Sequence, residues 1–116
     1  MTADLHLHST YSDGSYTPED LVKKSLKKGF TTIAIADHDT VEGIPLAEKA
    51  SESLAIEVIP AIEFSTFRGK AEIHILGYFI DYNNQELLTE TKKIFSAREN
   101  RAKKIVKLLN EQGIKI

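Results

Sequence analysis

Residues 31–39 read Thr31-Thr32-Ile33-Ala34-Ile35-Ala36-Asp37-His38-Asp39. The first six are β-branched or apolar and lack the polar alternation of a half-exposed strand. They describe a strand buried on both faces, as in a parallel sheet. The run stops at three residues that carry chemistry, and in parallel α/β architectures sites assemble at the carboxyl ends of strands.

Working outward, Thr17 is a helix N-cap with Pro18 at the first helical position and Glu19 and Asp20 in the first turn. Leu21, Val22, Ser25 and Leu26 form the stripe to be buried, and Gly29 supplies the stop. Farther upstream, residues 3–8 alternate as Ala-Asp-Leu-His-Leu-His, the period of a strand. Ala3, Leu5 and Leu7 share one face, while Asp4, His6 and His8 share the other. Downstream, the pattern predicts a helix over about residues 44–53 and strands over 56–65 and 72–80, with Arg68-Gly69-Lys70 as a hairpin turn. Strand–helix–strand–helix–strand at this spacing predicts parallel βαβ units with right-handed crossovers.

The final segment, residues 84–112, reads as one long helix or two joined ones. Leu88, Phe95, Ala102 and Leu109 recur every seven residues, and the polar stretch 96–104 is where a break or a departure from the main body is expected. Gly113 is a second helix stop, and Ile114-Lys115-Ile116 begins an alternating pattern. This is read as a chain ending where a new element starts.

The 116 residues suffice for one small domain with a core. A hydrophobic content of 41% and a charged content of 28% place the chain among globular proteins. A net charge of −2 provides no broad basic footprint for nucleic acid or membrane. Cysteine is absent, which excludes disulfides and thiolate metal sites, so any metal must be held by His, Asp or Glu. Ordered structure is expected from Ala3 onward, leaving no room for a signal peptide, and no apolar run approaches membrane-spanning length. A cytoplasmic enzyme is the expectation.

The four histidines, His6, His8, His38 and His74, all fall in or at the ends of expected strands. Two imidazoles in a His-x-His strand project to the same side and can reach one cation. A single strand histidine is more often structural, and Asp13-Gly14 alone is turn chemistry. Four of four in this arrangement, with Asp13, Asp37, Asp39 and Glu63 at hand, point to a metal site. Imidazole with carboxylate suits Mn, Fe or Zn. A cation held here can activate water, so the expected attacking group is metal-bound hydroxide rather than a Ser or Cys nucleophile. Asp37 and Asp39 are placed as partners that orient His38 or other ligands. Arg68, Arg98 and Arg101 are weaker candidates for contacting an anionic group such as a phosphate.

Asp4-Leu5-His6-Leu7-His8-Ser9-Thr10-Tyr11-Ser12-Asp13-Gly14 resembles the first motif of the PHP (polymerase and histidinol phosphatase) family, and Ala36-Asp37-His38-Asp39 the second. Pro60-Ala61-Ile62-Glu63-Phe64-Ser65 and Ile73-His74-Ile75-Leu76-Gly77-Tyr78 are similar to the third region. The resemblance implies an α/β fold, the N-terminal part of a distorted (β/α)7 TIM-like barrel. Residues 1–82 would belong to the barrel, and 83–116 would lead into an inserted subdomain. It further implies up to three divalent metal ions. His6 and His8 would bind the first, Glu63 would bridge it to a second bound by His74, and Asp13 and His38 would bind the third. The family's other three ligands lie in later segments, and no histidine follows His74 here, so the chain is read as truncated before the site is complete.

The implied function is metal-dependent hydrolysis of a phosphomonoester or phosphodiester, with a nucleotide or short oligonucleotide favoured. The alternatives are a histidinol-phosphate phosphatase and a non-catalytic metal-binding module. An amidohydrolase also carries a His-x-His on its first strand, but the residues around Asp13 and His38 argue against it. The open face of a partial barrel predicts self-association.

Overall fold

The computed structural model describes residues 2–116 and orders them as β1 (Ala3–Leu7), α1 (Pro18–Lys27), β2 (Thr32–Ile35), α2 (Ile44–Ser51), β3 (Glu57–Arg68), β4 (Ala71–Tyr78) and α3 (Gln85–Glu111). The chain divides into two compact units, one running to Tyr82 and the other spanning Asn83–Ile116.

In the first unit, the four strands form one sheet in the order β1-β2-β3-β4. β1 pairs with β2 and β2 with β3 in parallel, as the βαβ spacing requires. β3 and β4 form an antiparallel hairpin whose ladder runs to Arg68↔Ala71. Both strands therefore extend into the expected turn, leaving Gly69 (φ 66°) and Lys70 at its tip. Only glycine enters this left-handed region without strain.

Side-chain alternation sorts the sheet into two faces. Ile33 and Ile35 of β2 pack with Leu21 and Val22 of α1, Ala47 of α2 and Ile56, and Leu7 of β1 joins them. This is the main core, covered by helices. The opposite face presents Ala34, Ala36, Ile59 and Ala61, packed against Leu76. That second face is concave. The Tyr78 hydroxyl of β4 donates a 2.9 Å hydrogen bond to the Leu5 carbonyl of β1, joining the two outer strands of the sheet. Small alanines on β2 and β3 leave room beneath this span.

α1 begins and ends as its sequence predicts. The Thr17 side chain accepts from Asp20 N. At the other end, Gly29 N donates to Leu26 O and Phe30 N to Ser25 O, with Gly29 at φ 87°, the paired bonds of a Schellman stop.

Two expectations are corrected. Leu7 is packed, but Leu5 is exposed and does not share its burial. β1 lies at the sheet edge and its register with β2 shifts between Asp4 and Leu7, so helix cover reaches only its carboxyl end. The polar stretch 96–104 does not break the last helix either; α3 is continuous over 27 residues. It contains neither glycine nor proline, and Glu90–Lys93 (2.6 Å) and Glu99–Lys103 (2.8 Å) pair along its surface. Asn84 caps its start, accepting from Glu86 N and Leu87 N. A second Schellman stop ends it, with Gly113 N on Asn110 O and Ile114 N on Leu109 O. Among the described residues, no helix is long and apolar enough to cross a membrane.

Ile33 is fully buried between the helices and the sheet. Ile33→Ala should destabilise the first unit by about 3 kcal/mol, read as a lower urea midpoint. Ala102→Pro, in the middle of α3, should cost about 3 kcal/mol of local helix stability and reduce far-ultraviolet circular dichroism. An unchanged helical signal would contradict a continuous α3.

Candidate metal centre

All six residues singled out as ligands meet where β1 and β2 end, against the middle of β3. His6 and His8 come from β1 and the residue just after it, and Glu63 from β3. His38 follows β2, where its backbone still pairs with Glu63 as an isolated parallel bridge. Asp39 N donates to Glu63 O (3.0 Å) and Glu63 N to Asp37 O (3.1 Å), so the β2 exit remains stitched to β3. His74 enters from β4, where register places it opposite Ser65, on the same face as Glu63.

Glu63 is the hub. Its side chain is buried, with the residue 4% exposed. One carboxylate oxygen lies 2.7 Å from His6 Nε2, 3.2 Å from His8 Nε2 and 3.7 Å from His38 Nδ1, and the other lies 2.8 Å from His74 Nδ1. Asp13 stands on the outer side, 3.6 Å from His8 Nδ1 and 3.7 Å from His38 Nε2. The imidazoles form a chain, His6–His8–His38–His74, with centroid separations of 4.9, 4.6 and 5.0 Å.

The electrostatics follow from this crowding. Burial pushes the Glu63 carboxyl up, but the His6 hydrogen bond, the charges of His38 and His6 and the His74 hydrogen bond outweigh it, leaving its pKa below the ordinary value. The His74 pKa is raised by its hydrogen bond to Glu72; burial opposes this and Glu63 reinforces it.

The arrangement fits divalent cations. Three sets of donor atoms converge to within 4.8 Å of one another: His6, His8 and Glu63; His8, Asp13 and His38; and His38, Glu63 and His74. A cation bound at about 2.0–2.2 Å brings its ligands to such separations. In addition, His8 Nδ1 and His38 Nδ1 are buried without a hydrogen-bond partner. Buried imidazole nitrogens left unpaired are costly, and both face a carboxylate at a distance that leaves space for an ion.

Asp37 and Asp39 act on backbone and loop. Asp37, 2% exposed, accepts from Ser9 N (2.7 Å), Ser9 Oγ (2.6 Å) and Ser12 Oγ (2.6 Å). It thereby fixes the loop that carries Asp13. Asp39, at φ 55°, accepts from Ser65 N (2.8 Å) and holds β3 beside Glu63. Sequence reasoning passed over Ser9 and Ser12, whose anchoring partner lies 28 and 25 residues away. Gly14 belongs to the same device, since a Cβ there would meet the His8 carbonyl oxygen at 2.0 Å. Its amide donates to Ser9 O, closing the turn.

Arg68 is exposed at the hairpin tip, five residues beyond Glu63, and Arg98 and Arg101 are exposed on α3 in the second unit.

Comparison with known proteins places the chain. Residues 4–115 match the PHP domain family. Over 111 residues the chain is 38% identical to a 5'-3' exoribonuclease of Haemophilus influenzae, covering 96% of this chain and 40% of that protein. It is 32% identical to a 3',5'-nucleoside bisphosphate phosphatase of Chromobacterium violaceum, covering 96% and 39% respectively. Among solved structures, a protein of Bifidobacterium adolescentis inferred to be a metal-dependent phosphoesterase superposes with a TM-score of 0.88 at 32% identity, over 96% of this chain and 39% of that one. The chain thus spans about two fifths of the length of the relatives it matches. With its motifs gathered around Glu63 and its half-barrel sheet superposing on that structure, the chain belongs to the PHP domain family.

Proposed function

We propose that this cluster binds divalent cations and serves the hydrolysis of phosphate esters, with nucleotides or short oligonucleotides as the favoured substrates. The observation that carries the reading is the convergence of four imidazoles on one buried carboxylate, two of them with unpartnered buried nitrogens. The similarity to an exoribonuclease, a nucleotide phosphatase and a phosphoesterase supports phosphate-ester chemistry. We assign His6, His8 and Glu63 to one cation, Glu63 and His74 to a second, and Asp13 and His38 to a third, with Mn, Fe or Zn as the metals suited to this donor set.

Bound divalent cations would lower the pKa of water, polarise the phosphoryl group and stabilise the leaving oxygen. The chain's own residues hold and orient. Glu63 contributes both oxygens to neighbouring imidazoles, the geometry of a bridge. The Ser9 hydroxyl donates to Asp37 and accepts from Tyr11 N, so it braces the loop and is not a nucleophile. Cysteine is absent. The reaction proposed is direct attack by water activated at the bound cations, with no covalent protein intermediate. The lack of disulfides agrees with a cytoplasmic setting. Exposed Phe67, Ile75 and Phe79 favour self-association of the first unit.

Elemental analysis after loading with Mn or Zn should find at least about one equivalent per chain. His8→Ala should lower affinity by more than the ten- to hundredfold that follows loss of a mere orienting partner. No binding by either protein would overturn the metal site. Binding without release of phosphate from nucleotides, or of mononucleotides from short oligonucleotides, by the chain in its natural full-length context would favour a non-catalytic module.

Above the ordinary histidine pKa of 6.5, the dependence of stability on pH should change sign with metal. With chelator, the Glu63 contribution is present above its ordinary pKa of 4.5 and is lost as pH falls through its depressed folded value. The His74 contribution is complete below 6.5 and is lost as pH rises through its raised folded value. With Zn, ligands must be deprotonated, so stabilisation should instead grow as pH rises. Thermal unfolding with and without chelator from about pH 2.5 to 8, a range that reaches below the ordinary carboxylate pKa and above that of histidine, checks this; parallel curves would contradict it.

A further inference from the structure

Glu72 is an acid that none of the motifs requires. On the β3–β4 hairpin, Glu63 lies opposite Leu76, Ser65 opposite His74 and Phe67 opposite Glu72. Glu63, His74 and Glu72 therefore share the concave face. The His74 ring lies between the two carboxylates, with Nδ1 2.8 Å from Glu63 Oε1 and Nε2 3.3 Å from Glu72 Oε1. The two nitrogens of an imidazole point away from each other. A cation taken by Nδ1 beside Glu63 and His38 consequently leaves Nε2–H facing Glu72. Glu72 is half exposed, and a pair so placed contributes little to folding. Its consequence is orientation: the hydrogen bond on one ring nitrogen decides which nitrogen is left for the metal.

We propose that Glu72 is a positioning residue, accepting a hydrogen bond from His74 Nε2–H and so presenting His74 Nδ1 to the cation shared with Glu63. This rests on the metal-centre reading above and goes further by naming the ligand atom and the group that selects it. Without the acceptor, His74 is free to turn its other nitrogen toward the cation, at a geometry that Glu63 and His38 do not match. Gln at position 72 keeps a carbonyl acceptor without the charge, whereas Ala removes the acceptor altogether.

The test is long-range 1H–15N correlation of the imidazoles in 15N-histidine-labelled protein loaded with Zn, with metal affinity measured in parallel. In the unaltered protein, His74 should show a metal-bound Nδ1 and a protonated Nε2. Glu72→Ala should lose this single pattern and weaken Zn binding about tenfold. Glu72→Gln should retain the pattern and bind within a few-fold of the parent. Cooperative unfolding of both variants under chelator, with at most a small shift in midpoint, would exclude loss of the fold as the cause. His74 bound through Nε2, or Glu72→Ala indistinguishable from the parent, overturns the assignment while His6 and His8 still report bound Zn. If no histidine responds to Zn, the metal centre itself falls and this inference falls with it.

Discussion

The strict alternation of side chains along β2 and β3 is the constraint on which everything else depends. Ile33 and Ile35 point to the helices, and Ala34 and Ala36 to the concave face. Two residues beyond Ala36 in the same phase comes His38, and two beyond Ala61 comes Glu63. Sliding either strand by one position would place its apolar set in solvent and its functional residue among the helices. The core and the candidate site are therefore held in register by the same packing, and the burial that stabilises one positions the other.

Two buried carboxylates show how differently the fold uses the same chemical group. Asp37 is satisfied entirely by hydroxyl and amide donors of the Ser9–Gly14 loop. It meets the cost of burying a charge with hydrogen bonds, and its effect is to close that loop over the end of β2. Glu63 is surrounded instead by imidazoles, which can exchange a proton for a cation. Two carboxylates so differently partnered stand at backbone positions about 6 Å apart, by the β2–β3 strand spacing and a one-residue offset, and only their donors distinguish them.

The second unit follows a different logic. α3 is held by its own backbone, by caps at both ends and by ion pairs along its surface. Phe95, Ile105 and Leu108 are exposed along it. The sequence pattern allowed one long helix or two joined ones, with the polar centre as the place for a break or a departure from the main body. Uninterrupted helix propensity decided for one helix, because a break needs a residue that cannot continue the helix and none lies between Gln85 and Glu111.

Much of the first unit was legible in the sequence because it is local. A doubly buried strand, a Thr-Pro helix start, glycine stops and a Gly69 hairpin each depend on a few neighbouring residues, and His-x-His declares its shared face by period alone. The resemblance of the motifs to the PHP family extended this to a candidate ligand set, whose members the fold gathers around Glu63. Tertiary structure decided what depends on residues distant in the chain. Asp37 braces Ser9 and Ser12 and Asp39 holds Ser65, links across at least 25 residues. Leu5 lost its expected burial to an edge position and a shifted register, and Glu72 gained a neighbour in His74 that faces the site through the curl of the sheet. Periodicity specifies which way a side chain points from its own strand; which group it meets there is set by register, curvature and burial, quantities that exist only once the strands are assembled.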